Sequence, residues 1–364
     1  MAARSLALEG HQVLLLEREA LPRYKACGGG LSPKSVARLP FPVEDIPHHR
    51  ITHVSFRLRG TMPVTWPLPK GTPFYSVMRS DLDYALVRSA VVVGAYLREQ
   101  AEVTAVYQHG DGHLVQTNAG QFRAPYVVAA DGATGPLRRL LGFRYPPQRG
   151  VAIECELTVS PEVLERYAGT LVFDVEAVKG GYAWIFPKAD HLSVGAGSMH
   201  RPGTSLRQRL WSFILENDLV PEADLEELHT YVHPLPLSNL GDPCRKGGVL
   251  LAGDAAGLAD GLAGEGICYA LDNGDLAGRL IAEALQGNPA ALDRYDAELD
   301  RMVRRDQRYA RVIGDIVRRF PDTCYRLFTG IGEERRTLTA LLVGQLAFAE
   351  FLMNLPVLRT LGQM

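Results

Sequence analysis

The sequence predicts an α/β fold: a parallel nucleotide-binding sheet, interrupted by a mainly antiparallel sheet and closed by C-terminal helices. Three observations carry that prediction. Short apolar strands end in acids at Glu17, Asp131 and Asp254. A glycine-rich turn, Gly253 to Gly266, joins the last of these strands to a long helical pattern. Between Val151 and Pro236 the chain becomes a succession of strands, the pattern of a second sheet.

Ala2 to Leu8 reads as the later part of a helix, with Gly10 as its C-cap, and Val13 to Leu16 as a strand ending in Glu17. In a dinucleotide-binding βαβ unit an acid at the end of the second strand binds ribose hydroxyls, about 20 residues after the glycine fingerprint. Counting back from Glu17 passes Met1, and the first glycine is Gly10. The expected fold is therefore N-terminally truncated, lacking the first strand and its glycine loop. A start set too late is the favoured reading of that gap. Alone, Glu17 would be read as a solvated charge.

Residues 1 to 50 and 79 to 148 read as alternating strands and helices. MRSDLDYAL opens a helix in which Arg79 faces either cofactor or substrate polar groups, or Asp83 one turn on. Tyr126 to Ala130 is a strand, Asp131-Gly132 a turn, and Thr134 the N-cap of the basic helix PLRRLLG.

Val249 to Leu251 is a strand buried on both faces, and Asp254 sits at its carboxyl end, where open α/β sheets bind ligands. A carboxylate there accepts hydrogen bonds from sugar or ribityl hydroxyls. Gly257, Gly261, Gly264 and Gly266 let the backbone approach a flat ligand, and the helix from Ile267 aims free amides at an anion. A tight strand-to-helix turn capped by Asp254 is the plainer alternative.

Two further segments bear on the reaction. Cys27 precedes Gly28, Gly29 and Gly30, permissive backbone for packing against a ring, although a free cysteine is also an ordinary small core residue. Tyr182, Trp184 and Phe186 alternate in YAWIFP and project from one strand face. Such a row suits a flat apolar ligand, with the tyrosine hydroxyl and indole N–H as polar handles, or forms a plain aromatic core.

Together these motifs resemble the geranylgeranyl reductase family of FAD-dependent oxidoreductases, flavoproteins of the aromatic-hydroxylase-type fold. The resemblance covers residue 1 to about 290 and is most specific at KACGGGL and YAWIFP. It implies a Rossmann-like FAD-binding domain. Its cofactor residues would be Glu17, Arg18, Gly29, Gly30, Arg79, Asp131, Gly132, Gly253, Asp254, Gly264 and Gly266. Cys27, Tyr182 and Trp184 would be the catalytic set. It further implies reduction of prenyl carbon–carbon double bonds, with NAD(P)H a candidate electron donor although no nicotinamide site can be located. A monooxygenase of the same fold and a non-catalytic remnant without FAD are the alternatives.

The implied domains are a discontinuous cofactor domain (1–50, 79–148 and 245–290), a substrate sheet (51–78 and 149–244) and a helical region (291–364). The chain has 364 residues and a net charge of −2 from 39 basic and 41 acidic side chains, with no basic run, so a nucleic-acid partner is not expected. Five cysteines without a close pair argue against a disulfide framework or a zinc site; no metal is expected, and the cell interior is the expected location. Leu341 to Leu358 is apolar but interrupted by Gln345, Glu350, Asn354 and Pro356, so it reads as a core or capping helix, with peripheral membrane docking as a second reading. His191 and His200 read as solvated loop residues outside the site.

Overall fold

A computed structural model describes residues 1–144, 148–199, 205–330 and 332–354. His200 and the last residues of the apolar C-terminal stretch, 355–358, lie outside these.

The nucleotide-binding half contains two separate parallel pairings. Leu14–Leu16 pairs with Tyr96–Arg98, and Val127–Ala129 pairs with Val249–Leu251. Among the described residues these belong to different sheets, and no strand joins them. Leu14, Leu15, Leu16, Val127 and Val128 all face one cavity instead. Val249, Leu250 and Leu251 are buried, as a strand covered on both faces requires. The helix Ile267–Leu285 packs its apolar face on this core through Leu276, Leu280 and Ile281. At Gly278 an added Cβ would lie 2.8 Å from the Ala2 carbonyl oxygen, so the helix Ala2–Leu8 crosses it at backbone contact.

The stretch between Val103 and Ala124 departs from the alternation expected of residues 79 to 148. It is a three-stranded antiparallel meander, Val103–His109, Gly112–Thr117 and Gly120–Ala124. Tight turns at Gly110 and Gly120, both with positive φ, leave no room for a helix between the strands.

The second half is a seven-stranded sheet. Its order is Tyr231–Leu237, Gln148–Leu157, Leu192–Ser198, Gly181–Pro187, Thr170–Val175, His53–Leu58, Val64–Pro67. One face buries Ile153, Ile185 and Val194 against the amphipathic helix Leu206–Glu216. The other face lines the cavity. The C-terminal stretch is not one helix: Glu333–Leu342 ends before Gly344, whose φ is +75°, and Phe348–Asn354 starts anew. No helix among the described residues is long and apolar enough to cross a membrane.

Candidate flavin and substrate site

A cavity of about 1560 Å³ runs between the two halves. The fourteen residues of the expected cofactor and catalytic sets line it: the strand tips Glu17, Arg18, Asp131, Gly132, Gly253 and Asp254, the glycines Gly29, Gly30, Gly264 and Gly266, and Cys27, Arg79, Tyr182 and Trp184; Gly257 and Gly261, expected to approach the ligand too, do not. Residues up to 249 positions apart in sequence thus meet at one cleft: the parallel strands bring their carboxyl ends to it, and the Cys27–Gly30 loop, the start of the Arg79 helix and the antiparallel strand Gly181–Pro187 supply the other walls.

Its polar end is an ion-pair network. Asp83 binds Arg79 (2.7 Å) and Arg23 (3.0 Å), Arg23 also reaches Glu17 (3.3 Å), and Lys25 sits 3.3 Å from Asp254. Arg79 therefore has its helix partner and the cavity wall at once. Burial pulls Asp254 and Asp83 upward, but Lys25 and Arg79 outweigh it and hold both carboxyls below their usual value. Arg18 is exposed and pairs with Glu19.

Asp131 does two things. Its Oδ2 accepts the Leu137 amide at 2.8 Å, so this carboxylate caps the short helix Leu137–Leu140 in place of the expected Thr134. Its Oδ1 is buried with no hydrogen-bond partner among the described residues. The buried ring nitrogens Trp184 Nε1 and His233 Nε2 share that condition. Polar atoms buried at a cavity wall without partners mark positions where a ligand supplies them. The helix Ile267–Leu285 starts at Gly266 with no side-chain cap, so its first amides face the cavity.

The loop Cys27–Gly30 is held from behind by Lys188. Its buried Nζ donates to the carbonyls of Gly28 (2.7 Å) and Val77 (2.9 Å) and to Ser76 Oγ (3.0 Å). Burial pulls this ammonium down from its ordinary value. Gly29 has φ +68°, and a Cβ there would meet the Val77 carbonyl oxygen at 1.9 Å. Only glycine fits. The Cys27 amide donates to Glu154 Oε1 at 2.6 Å, and the Gly29 amide points at Cys27 Sγ at 3.4 Å.

The apolar end is aromatic. Tyr182, Trp184 and Phe186 lie on one face of Gly181–Pro187, and Phe173 and Phe56 of neighbouring strands extend the row with ring centroids 5.0–5.9 Å apart. Gly195 pairs across from Trp184, and a Cβ there would lie 2.1 Å from the indole. Facing this wall are Phe328, Leu338, Leu342 and Phe348 from the C-terminal helices. The Tyr182 hydroxyl donates to the Ala263 carbonyl at 2.5 Å, and burial pushes it well above the tyrosine range. That group clamps the strand to the glycine turn and is held back from acid chemistry.

Sequence reasoning missed Tyr24, Glu154, Lys188 and His233 and gave Lys25 no role beyond its place in KACGGGL; all five touch the cavity or the loop that lines it. Glu154 is the most consequential. It is 3% exposed, accepts from Tyr24 Oη at 2.8 Å, and burial pushes its carboxyl up to about 7. A signal existed: Glu154 and Glu156 alternate inside the largely apolar run VAIECELTV.

Two parallel strand pairs whose tips converge on a cleft, with an uncapped helix start and an antiparallel sheet as the far wall, make the arrangement of a dinucleotide-binding protein. The sequence matches the FAD binding domain family over residues 1–308, and the chain belongs to that family. It is an FAD-dependent oxidoreductase. It is 28% identical over 323 residues to the digeranylgeranylglycerophospholipid reductase of Methanocella arvoryzae, covering 82% of this chain and 79% of that one. It is 29% identical over 309 residues to the menaquinone reductase of Mycobacterium tuberculosis, covering 77% and 73%. The fold matches a geranylgeranyl bacteriochlorophyll reductase-like protein from Thermoplasma acidophilum with a TM-score of 0.79, at 21% identity over 93% of this chain and 92% of that one. The similarity to geranylgeranyl reductases read from the motifs therefore stands.

Proposed function

We propose that the protein reduces carbon–carbon double bonds of a prenyl chain or a related apolar substrate. The observation that carries this reading is the aromatic wall of Tyr182, Trp184 and Phe186 opposite apolar helices, opening beside the Cys27–Gly30 loop. A long unsaturated hydrocarbon offers no hydrogen-bonding groups, so shape and apolar area must hold it, and this wall supplies both. The names of the two relatives support the same substrate class.

Glu17 and Arg18 would meet the adenosine ribose, and Asp254 the ribityl hydroxyls, with Arg79 and Lys25 fixing the local charge. Asp131 Oδ1 and the amides at Gly266 and Ile267 would take up polar and anionic groups of the dinucleotide. FAD, once reduced, supplies the hydride that an unpolarised double bond needs. The protein's part is to orient the chain against Trp184 and Phe186, exclude water, and hold a proton near Cys27.

The test is anaerobic incubation of the reduced, FAD-loaded protein with a geranylgeranyl lipid. Product carrying two extra hydrogens per double bond supports the reading. Unchanged lipid with bound, reducible flavin removes the prenyl assignment. Uptake of oxygen coupled to a hydroxylated product would replace it with monooxygenation.

A further inference from the structure

Behind the Cys27 loop a line of titratable groups connects the cavity wall with solvent. At its outer end the Asp190 side chain is 85% exposed and its carboxylate lies 2.6 Å from His191 Nδ1. The other face of that imidazole is 3.2 Å from Glu156 Oε2, an ion-pair distance without hydrogen-bond alignment. Glu156 Oε1 is 3.4 Å from Tyr24 Oη, and Tyr24 donates to Glu154 Oε1 at 2.8 Å. Glu154 then meets the Cys27 amide at 2.6 Å and lines the cavity. The strand explains the arrangement: Glu154 and Glu156 fall on one face of Gln148–Leu157, while Ile153, Cys155 and Leu157 face the opposite core.

We infer that Asp190, His191, Glu156, Tyr24 and Glu154 form a proton path from solvent to the cavity, with Glu154 as its inner terminus. The delivery step rests on the proposed double-bond reduction. Saturating one double bond forms two C–H bonds. One takes the hydride given up by reduced FAD. The other takes the proton released when the Glu154 O–H bond breaks. The carboxylate regains a proton from Tyr24, Tyr24 from Glu156, Glu156 from the His191 imidazolium, and His191 from solvent beside Asp190. Per double bond, the balance is one hydride and one solvent proton consumed.

The surroundings suit both ends. Glu156 and Asp190 raise the His191 imidazole above its usual value against the opposing pull of burial, so the two carboxylates favour its charged form. Burial keeps Glu154 protonated up to about 7, although Tyr24 and the Cys27 amide pull the other way. Facing these groups from other elements are Lys188, at the end of Gly181–Pro187, and Tyr231, whose ring stacks on Tyr24 at 4.1 Å. Lys188 is committed to the loop carbonyls and Ser76.

The experiment follows the carboxyl stretching band of the FAD-loaded protein by infrared after rapid mixing into D2O, the band being assigned by its loss in Glu154→Gln. Deuteration of Glu154 should slow about tenfold or more in both Tyr24→Phe and His191→Gln, since each breaks one link. Equal rates in wild type and both variants would overturn the path, because protons would then reach Glu154 through the cavity itself. Should Tyr24→Phe not fold, His191→Gln near the surface decides alone.

Turnover adds a second reading. With prenyl lipid, both variants should keep the single-turnover yield of the pre-reduced protein but lose steady-state rate, a split that a merely structural defect would not produce. A matched loss in both regimes counts against the path. If wild type reduces no prenyl lipid, the functional reading fails while the exchange rates still decide the path.

Discussion

Glu154 and Tyr182 show how environment assigns roles that residue type alone does not. Both are ionisable groups at one cavity, yet the tyrosine hydroxyl is spent on the Ala263 carbonyl and the carboxyl is held near neutrality. Tyr182→Phe should therefore keep kcat within a few-fold and cost about 0.5–1.5 kcal/mol in stability, measured by denaturant unfolding. Glu154→Gln should lower the rate of product formation by about 10²–10⁴-fold and remove its fall above pH 7. The sign follows from the acid role: wild type loses activity as pH rises through the Glu154 midpoint, because the carboxyl must be protonated to donate. The strand-tip acids were legible in the sequence because each is announced by its own local pattern. Glu154 was not, since its partner Tyr24 lies 130 positions away and only folding brings them together.

Among the elements, the Cys27–Gly30 loop and the aromatic strand are shaped by what glycine leaves out. Gly29→Ala places a Cβ against the Val77 carbonyl at a positive φ, and should destabilise by roughly 2–4 kcal/mol, read as a lowered thermal midpoint. Gly195→Ala instead pushes on the Trp184 indole, with a cost of about 1–3 kcal/mol. Its diagnostic effect is on substrate: KM for a prenyl lipid should rise while FAD affinity stays, a separation that equilibrium flavin binding and steady-state kinetics resolve together. The aromatic alternation and the glycine triplet were visible from sequence. That Lys188 reaches back to fasten the loop was not, because a lysine after a strand ordinarily reads as a solvated charge.

For the whole molecule, charge links folding to pH in opposite senses at the two ends of the cavity. Asp83 and Asp254 have lowered folded-state values, so their stabilisation is present above the ordinary carboxyl value of 3.8 and is lost as pH falls through the folded value. Glu154 is raised from 4.5 to about 7, so its contribution is complete below 4.5 and is lost as pH rises to about 7. The thermal midpoint of Glu154→Gln should consequently vary less between pH 5 and 7 than that of wild type. FAD should raise the thermal midpoint of both, through about 2.7 kcal/mol of added unfolding free energy at a hundredfold excess over Kd. The two-part architecture was legible because strand patterning changes near residue 151. The antiparallel meander was not separated from the parallel unit, since short alternating runs look alike in either sheet.

The proposed reaction requires a flavin cleft whose second wall would accept an unsaturated hydrocarbon. Mass spectrometry of the lipid after one anaerobic turnover in D2O with pre-reduced, FAD-loaded protein tests that claim directly. Because the N5–H of reduced flavin exchanges with solvent as other N–H groups do, two deuteriums should be added across each reduced double bond once the protein has equilibrated in D2O, one as the hydride equivalent and one from the acid. Lipid recovered without added hydrogen or deuterium, beside flavin that stays reduced, would contradict it.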